Sequence, residues 1–566
     1  MPSLLEAQLR HAKYYEVILH KANTLYLQGG KVMQYGLNLF DLEWSNIQHG
    51  HEWAVTHMAD NRDAVELCSS YFNQPYCFQL RRHPGWQIRW FEVALTAAQS
   101  LKHSTAESVH LGNLGTAYFE FGEISKALDC YERSLGISCK NNDRPNESRA
   151  LAGLGNVFVV LGKVHKAIML YEQDLMINRE IGNLREESSA LGNLGLAHES
   201  LNQTHKAIEF YLQALAIDRE IGNRLSEANS LCNLGNAYAS LGEYHQAFAF
   251  YDLSLMIVRE IGESQLEGNI LGNLGLIYED LGDNLKAIRY YEACLAINCE
   301  IGNRRVEGQA LGYLGTVNRM LGRFREAIKY HKQALIIAQE IGNRHGESTT
   351  FGSLGTDFKL LGQDRKAINY YKRQLRIALT IGDLKGKASA LGNLGLVYAG
   401  LGESQQAIDF YEQCLAITRE ISDRLGEGEM LGNLGNVYID LGEFQQAIEY
   451  HEQHLAIVRK FGHRQSEAYA MGNLGNAYRL LGENRRALDL YEQSLSIIRE
   501  IGDSLGEGNA LFNISLAIDK LGDRKQAIAH AITALKIYKQ IESPNAKEVQ
   551  KQLAVWGALR AESHVQ

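Results

Sequence analysis

The sequence repeats itself every 40 residues, and this repetition limits the possible folds more than any other feature of the chain. The segment LGNLGNVYIDLGEFQQAIEYHEQHLAIVRK, from Leu431 to Lys460, recurs with small changes and without insertion or deletion. Its register opens eleven times, at Leu111, Leu151, Leu191, Leu231, Leu271, Leu311, Phe351, Leu391, Leu431, Met471 and Leu511. Self-similarity at a period of roughly 20–50 residues indicates a solenoid, in which each unit buries its apolar face against its neighbours.

Each unit is predicted to contain two helices. Apolar side chains recur at spacings of three and four in both halves of the ninth unit, which places them on one face of each helix: Leu431, Leu434, Tyr438 and Leu441, then Phe444, Ala447, Ile448, His451, Leu455 and Val458. Gly442 ends the first helix, because glycine readily adopts the left-handed conformation of a C-terminal cap. The following unit begins at an Asn or Asp, such as Asn183 or Asp423, whose side chain caps exposed amides.

A glycine inside the first helix of nearly every unit needs a physical reason, since it costs about 1 kcal/mol relative to alanine. Gly275 and Gly435 are two examples at this position. Close approach of the partner helix would exclude any larger side chain. Gly275→Leu is therefore expected to destabilise the stack by overpacking, on the order of 1–3 kcal/mol or more.

Composition and charge exclude several classes of protein. The 45% hydrophobic content favours a packed chain over a disordered one, and five prolines in 566 residues suit nearly continuous helix. A net charge of −9 gives no support to nucleic-acid or anionic-membrane binding. The sequence contains no stretch long and apolar enough for a membrane span, no signal peptide and no paired cysteine motif. We expect a soluble, cytoplasmic protein with reduced cysteines.

The ninth unit resembles the tetratricopeptide repeat at Leu434, Gly435, Tyr438, Gly442 and Ala447. The resemblance covers roughly residues 105–542 and implies an all-α, right-handed superhelical solenoid whose first helices line a concave groove. Units of 40 residues with Leu-Gly-Asn resemble those of Pins/LGN-like adaptors. The C-terminal motifs with which those adaptors bind G-protein α subunits have no counterpart before the last residue, so that role is not transferred.

Residues 1–104 do not follow the repeat and are predicted to form irregular helical hairpins that cover the first regular unit. Helices are expected from Leu4 to Leu27, ended by Gly29-Gly30, and from about Val32 to His49. The segment Phe40–Cys68, with Glu43, Asn46 and Trp53 and with Trp90-Phe91-Glu92 further on, resembles the helical segment before the tetratricopeptide arrays of bacterial STAND-type signalling ATPases. His49, His51 and His57 lack co-ligands with metal-binding spacing and are expected to be structural.

Eleven units are assigned to residues 105–543, and residues 544–566 are expected to form a closing segment. Its helix is predicted from about Lys547 to Glu562, with Val549, Leu553, Trp556 and Leu559 covering the apolar face of the last unit. The alternative is a helix that docks on a partner.

A polar stripe lies beside the leucines on the first helices and is the predicted binding surface. Carboxamides can both donate to and accept from an extended peptide backbone. An acidic group on the partner could be bound by the cations of units six and seven. The candidate residues are Asn113, Asn193, Asn229, Asn233, Asn236, Asn269, Asn273, Arg319, Lys359, Asn393, Asn433, Asn436, Asn473, Asn476 and Arg479. The alternative is that these asparagines only connect neighbouring units.

The sequence offers no catalytic or cofactor motif. GNLGN lies inside a predicted helix with no preceding strand, unlike a dinucleotide-binding loop. His451-Glu452-Gln453-His454 is one residue short of a zinc-protease motif. We therefore expect a non-enzymatic scaffold that binds an extended protein segment, without metal or cofactor. The two alternatives are a regulatory arm that acts with a separately encoded ATPase or effector, and a structural spacer.

Overall fold

A computed structural model describes residues 3–27, 30–73, 75–81 and 84–558, and within them the chain forms 28 α-helices and no strand. The all-α solenoid of helix pairs predicted from the repeat is confirmed. Five helices precede the repeats: α1 Leu4–Leu27, α2 Gly30–His57, α3 Arg62–Ser70, α4 Tyr76–Arg81 and α5 Pro84–Ser100. Helix α1 has the predicted bounds, whereas α2 continues eight residues beyond the predicted end at His49. Gly29 lies outside the described residues.

The chain divides into two compact units, Met1–Asn303 and Arg304–Gln566. The first unit contains the five N-terminal helices and repeats 1–5. These repeats are formed by α6 Ser104–Phe121 and α7 Ile124–Asn141, α8 Arg144–Val160 and α9 Val164–Ile181, α10 Leu184–Ser200 and α11 Thr204–Glu220, α12 Arg224–Ser240 and α13 Tyr244–Ile261, and α14 Ser264–Asp280 and α15 Asn284–Glu300.

The second unit contains repeats 6–11 and a last helix. Its elements are α16 Arg304–Met320 and α17 Phe324–Glu340, α18 Arg344–Leu360 and α19 Asp364–Ile381, α20 Leu384–Gly400 and α21 Ser404–Glu420, α22 Arg424–Asp440 and α23 Phe444–Lys460, α24 Arg464–Leu481 and α25 Asn484–Ile501, α26 Ser504–Lys520 and α27 Arg524–Gln540, and finally α28 Ala546–Val555.

Caps fix the ends of these helices as the sequence predicted. The side chains of Asn183 and Asp423 accept hydrogen bonds from backbone amides three residues later. Gly442 has a φ of 78°, and Asn202 takes the same left-handed conformation in repeat 3 with a φ of 58°. Each repeat therefore starts and stops at a fixed residue, which keeps the 40-residue period.

A buried glutamate in the first turn of the first helix joins neighbouring repeats. Glu427 accepts from Arg419 Nε, in the preceding second helix, and from Arg424, both at 2.7 Å. Glu227 makes the equivalent pair of contacts in repeat 4. Burial alone would raise the pKa of Glu427, but hydrogen bonds from the two guanidinium groups hold it below its ordinary value. These ion pairs add a connection between neighbouring repeats to the caps that the sequence predicted.

The N-terminal helices share one apolar core with repeat 1. Trp90 is at its centre, with the His51 ring stacked at 4.0 Å and the Phe78 and Trp44 rings at 5.1 and 5.3 Å. Leu111 of α6 belongs to the same core. Burial lowers the pKa of His51 to about 3, so this histidine is a neutral core residue at physiological pH.

The closing helix α28 is shorter than predicted, since it ends at Val555. Val549 and Leu553 are fully buried in the core of repeats 9–11, and Trp556 follows the helix with its indole Nε1 donating to Asp519 Oδ2 at 3.1 Å. Gly557, with a φ of 71°, turns the chain immediately afterwards. The predicted contact of Leu559 and the predicted end at Glu562 lie outside the described residues.

Asp174 is a buried acid at a position of the second helix that most other repeats fill with small residues. Its Oδ1 accepts from Ser148 Oγ at 2.5 Å and from Asn178 Nδ2 at 2.8 Å. Burial raises the pKa of Asp174 to about 7. The folded protein therefore binds this proton more tightly than the unfolded one, in which an aspartate has a pKa of about 3.9.

The raised pKa predicts a pH dependence of stability. The contribution of protonated Asp174 is fully present below about pH 4 and is lost as the pH rises to about 7, by at most about 1.4 kcal/mol per pH unit. Asp174→Asn keeps a polar side chain without the titration and should raise the thermal midpoint at pH 8 but not at pH 4. The exposed control Asp252→Asn should change neither value. An unchanged midpoint of Asp174→Asn at pH 8 would contradict this interpretation.

Candidate functional site on the first-helix face

The first helices of successive repeats present two rows of polar residues. Each row is named by its residue number in repeat 9, so position 433 means Asn433 and its equivalents in the other repeats, and position 436 means Asn436 and its equivalents. At position 433 the asparagines are half-buried. Asn113 Nδ2 donates to Phe72 O at 3.1 Å, and Asn273 Nδ2 donates to Asn236 Oδ1 at 2.8 Å. The other six have no side-chain hydrogen bond to the described residues: Asn193, Asn233, Asn393, Asn433, Asn473 and Asn513. Their carboxamides are available to a ligand.

Asparagines at position 436 have a different role, because their side-chain oxygen accepts a hydrogen bond from the hydroxyl of a buried tyrosine in the second helix. Tyr251 donates to Asn236 at 2.6 Å, and Tyr491 donates to Asn476 at 2.7 Å. Asn156 receives the same bond from Tyr171. These asparagines therefore hold the two helices of one repeat together, which is a structural role different from the predicted alternative of a connection between neighbouring units.

Asn436 is an exception at this position. In repeat 9 the tyrosine is replaced by His451, whose two ring nitrogens have no hydrogen-bond partner among the described residues. Asn436 is exposed and likewise has no partner there. Repeat 9 thus presents two unengaged carboxamides, at Asn433 and Asn436.

Asn229 and Asn269 lie further towards the helix starts and are exposed. Asn229 Nδ2 donates to Leu225 O at 3.0 Å within its own helix. Both residues line a cavity of about 430 Å³ in the first unit, together with Tyr26 and Arg81 of the N-terminal helices. The surface of repeats 4 and 5 therefore faces part of the N-terminal region.

The predicted pair of cations in repeats 6 and 7 does not form a free basic centre. Arg319 Nη1 lies 3.3 Å from Oδ1 of the buried Asp357, whose Oδ2 contacts His331 Nδ1 at 2.6 Å. Asp357 already neutralises the guanidinium. Lys359 is half-buried, and burial lowers the pKa of its amine. Asp357 lies in the next repeat, at a position where most repeats have an alanine or valine, so the repeat pattern does not predict this ion pair.

Arg479, in repeat 10, occupies the position equivalent to Arg319 and faces a cavity of about 580 Å³. We call this space the C-terminal cavity. Its wall comes from α22, α24, α26 and α28 and from the second helices α25 and α27 behind them. The polar and charged residues of the wall are Asn436, Asp440, Tyr469, Asn473, Asn476, Arg479, Tyr491, Ser494, Asn509, Asn513, Tyr538, Asn545 and Glu548. The second unit therefore concentrates carboxamides around one arginine.

The sequence model of the tetratricopeptide repeat matches this protein over residues 142–220, 226–300, 307–380, 386–460, 426–500 and 466–540. These ranges cover most of the chain and follow the helix pairs described above. The chain belongs to the tetratricopeptide repeat family. Repeats of this family typically form scaffolds for protein–protein interaction. No curated protein matches the chain.

Several solved structures are similar to this tetratricopeptide array at low identity. A STAND signal transduction ATPase with a tetratricopeptide repeat sensor from Pyrococcus horikoshii is 14% identical over 78% of this chain and 72% of its own, with a TM-score of 0.46. The quorum sensor NprR from B. thuringiensis is 16% identical over 58% and 93%, with a TM-score of 0.45. Aspartyl phosphate phosphatase F from Bacillus subtilis is 15% identical over 65% and 97%, with a TM-score of 0.44.

Leucines at position 436 are part of the same tetratricopeptide surface and were missed by the sequence reasoning. Leu196, Leu276 and Leu396 are exposed by 51%, 36% and 43%. In repeats 3 and 5 the tyrosine hydroxyl is bound by Glu199 and Glu279 instead, at 2.9 and 2.8 Å. In repeats 3 and 5 the signal in the sequence is a leucine at position 436 together with a glutamate three residues later, whereas Leu396 of repeat 8 lacks this glutamate. The first-helix face thus presents both carboxamides and exposed apolar side chains.

Two further observations concern other kinds of site. In the part of the chain that the structure describes, no helix has the length and apolar character needed to cross a membrane. Over the same residues, no three His, Cys, Asp or Glu side chains come together in a group that could hold a metal ion.

Proposed function

We propose that this tetratricopeptide array is a non-enzymatic scaffold that binds an extended segment of another protein on its first-helix face. The observation that supports the proposal is the row of unengaged carboxamides at position 433, repeated in six of the eleven repeats. A row of such groups suits a polypeptide that offers one donor and one acceptor at every residue.

The cost of asparagine in a helix strengthens this proposal. Mid-helix asparagine is less favourable than alanine or leucine, because its side chain competes with the backbone for hydrogen bonds. At position 436 that cost is offset by the bond to a tyrosine hydroxyl, as in Asn236. Asn233 and Asn433 have no such compensation within the described residues. A ligand backbone would supply it, since a charge-neutral hydrogen bond contributes about 1 kcal/mol.

The exposed leucines define the side chains that such a segment would carry. Leu196 and Leu276 lie at position 436 of repeats 3 and 5, beside Asn193 and Asn273. Burial of their apolar surface contributes roughly 25 cal/mol per Å². The proposed ligand is therefore an extended segment with apolar side chains at intervals, bound through its backbone between them.

Removal of the carboxamides in the second unit is expected to abolish partner capture. We predict that Asn393/Asn433/Asn473→Ala loses proteins that the wild type retains from native cell lysate, in a quantitative pull-down. The matched control is Gln413/Gln453/Gln493→Ala, which removes three exposed carboxamides from the second helices of the same repeats. The thermal midpoint of both variants should match that of the wild type. Equal losses in the two variants would contradict the proposal.

The same pull-down distinguishes the two alternative functions, a regulatory arm and a structural spacer. A regulatory arm predicts that a nucleoside-triphosphate hydrolase or a downstream effector is the captured protein and that it too is lost from the asparagine variant. A structural spacer predicts that neither the wild type nor the variants retain a specific partner.

A further inference from the structure

The second helices of repeats 6 and 7, α17 and α19, carry an exposed basic surface in a chain whose net charge is −9. Its cations follow one another at spacings of three, four and seven residues, so they project from one side of each helix. We call this surface the basic face. Its six exposed members are Arg325, Lys329 and Lys332 on α17 and Arg365, Lys372 and Arg376 on α19.

The basic face reverses the charge that the repeat pattern places on the second helices. At the repeat position that Lys332 and Lys372 share, seven of the other nine repeats have an aspartate or a glutamate, such as Glu412 and Glu452. Lys329 likewise stands where repeats 8–10 have an acid. The change from acid to base is therefore confined to two consecutive repeats, which together form one surface.

The cations of the basic face have no counter-ion. None of the six forms an ion pair or a side-chain hydrogen bond with the described residues. On other second helices, Lys286 is paired with Asp283 at 3.0 Å and Arg486 with Glu483 at 2.8 Å. Like charges three or four residues apart on one helix repel each other. An anionic ligand would relieve this repulsion.

The acids of α17 and α19 do not neutralise the basic face. Glu340 is bound by Arg304, at the start of α16. Glu326 and Asp364 form no ion pair with any of the described residues. The positive charge of the basic face is therefore available to a partner.

Exposed apolar side chains at the ends of both stripes favour a protein as the ligand. Ile336 follows Lys332 by one turn of α17 and is 54% exposed, and Leu379 follows Arg376 by one turn of α19 and is 58% exposed. Apolar side chains of a polypeptide would bury this surface. The phosphate groups of a nucleic acid or of a lipid headgroup have no apolar surface with which to do so.

The neighbouring repeat limits the length of the ligand. Helix α21, the second helix of repeat 8, carries the exposed acids Asp409 and Glu412 at the repeat positions of Lys329 and Lys372. A nucleic acid or an anionic membrane that extended along the second helices beyond repeat 7 would be repelled by these acids. A short acidic segment would contact the basic face alone.

We infer that the basic face binds an acidic segment of a partner protein. Several Asp or Glu side chains of this segment pair with the lysines and arginines of α17 and α19, and an apolar side chain packs on Ile336 or Leu379. Exposed ion pairs contribute little individually and are screened by salt, so binding requires several of them together. The inference adds a second binding surface to the first-helix face and does not depend on the proposed function.

Fluorescence anisotropy with labelled peptides tests the inference on the full-length protein. The acidic probe is a capped twelve-residue peptide that repeats Glu-Glu-Leu-Ser, and the neutral probe has Gln in place of every Glu. At low ionic strength we expect the wild type to bind the acidic probe about tenfold more tightly than the neutral probe. This difference should disappear in about 1 M salt, where charges are screened beyond roughly 3 Å.

Charge reversal on the basic face should remove the preference. We expect Lys332→Glu/Lys372→Glu to weaken binding of the acidic probe about tenfold and Lys332→Arg/Lys372→Arg to retain it, because the charge remains. The matched control Lys525→Glu/Lys536→Glu makes the same change in net charge at exposed lysines of α27 and should leave the affinity unchanged. Circular dichroism establishes that each variant is folded.

Equal affinity of the wild type for the two probes, including no binding of either, overturns the inference. An unchanged affinity in the folded Lys332→Glu/Lys372→Glu variant, or an equal loss in the control, overturns it as well. A twelve-nucleotide oligothymidine and phosphatidylserine vesicles are measured in parallel. If either binds the basic face more tightly than the acidic peptide, the ligand is a nucleic acid or a membrane and not a protein segment. None of these results bears on binding at the first-helix face.

Discussion

Replacement of Gly275 by leucine is expected to lower the thermal midpoint sharply, with a loss of about 3 kcal/mol in unfolding free energy. A Cβ atom built at Gly275 would lie 2.5 Å from Cε1 of Tyr291, whose ring is fully buried. No real Cβ contact is that short, so the ring or the helix would have to move. Thermal unfolding followed by circular dichroism measures the effect.

Gly192 provides the control for this substitution. It occupies the first helix of repeat 3, one turn before the contact glycine, and a Cβ there meets no atom within 4 Å. Gly192→Ala should therefore be neutral or slightly stabilising, because alanine has the higher helix propensity. If Gly275→Leu unfolded at the wild-type temperature, the glycine would not be explained by contact between the two helices.

His451→Tyr is expected to stabilise the protein by about 1–2 kcal/mol at neutral pH. The His451 ring occupies the space that tyrosine rings fill elsewhere: a Cβ on Gly435 would lie 2.6 Å from its Cε1, as it would for Gly475 and Tyr491. The tyrosine hydroxyl would reach Asn436, by analogy with the Tyr491–Asn476 bond of 2.7 Å. Two ring nitrogens without partners among the described residues would be replaced by one satisfied hydroxyl.

The same substitution should also reduce sensitivity to acid. Burial, with a smaller contribution from His454, lowers the pKa of His451 to about 4. The unfolded protein therefore binds the proton more tightly, and stability that is complete above about pH 6.5 is lost as the pH falls towards 4. The difference in thermal midpoint between His451→Tyr and wild type should grow from pH 7 to pH 5.

His331→Tyr provides a contrast of opposite sign. His331 occupies the equivalent position in repeat 6, but its Nδ1 contacts Asp357 at 2.6 Å. Loss of this bond removes a hydrogen-bond partner from the fully buried carboxylate of Asp357 and should destabilise the protein. Stabilisation by both substitutions would show that tyrosine is simply preferred at this position, independently of its hydrogen-bond partner.

The scaffold was predictable because its causes are local or repeat every 40 residues. The spacing of Leu434 and Tyr438 specifies the buried face, and Gly442 specifies the turn. Gly275 indicated a close contact by its cost in a helix. The repeat does not encode which group makes that contact, and the structure identifies it as the ring of Tyr291.

The candidate site was less predictable, since its residues differ in their partners and not in their type. Asn236 and Asn436 are the same amino acid at the same repeat position, yet only Asn236 has a tyrosine hydroxyl 15 residues later. Arg319 and Arg479 likewise differ through a residue in the next repeat. A sequence signal did exist, because Arg319, His331 and Asp357 all depart from the repeat pattern within two consecutive units.

Photo-crosslinking from the first-helix face tests ligand binding there most directly. A benzophenone amino acid in place of Asn433 would sample this surface, and the same probe in place of Gln453 would sample the exposed second helix of the same repeat. After irradiation in native lysate, we expect a discrete protein adduct from position 433 and none from position 453. An adduct from position 453 alone, or the same adducts from both, would contradict binding at the first-helix face.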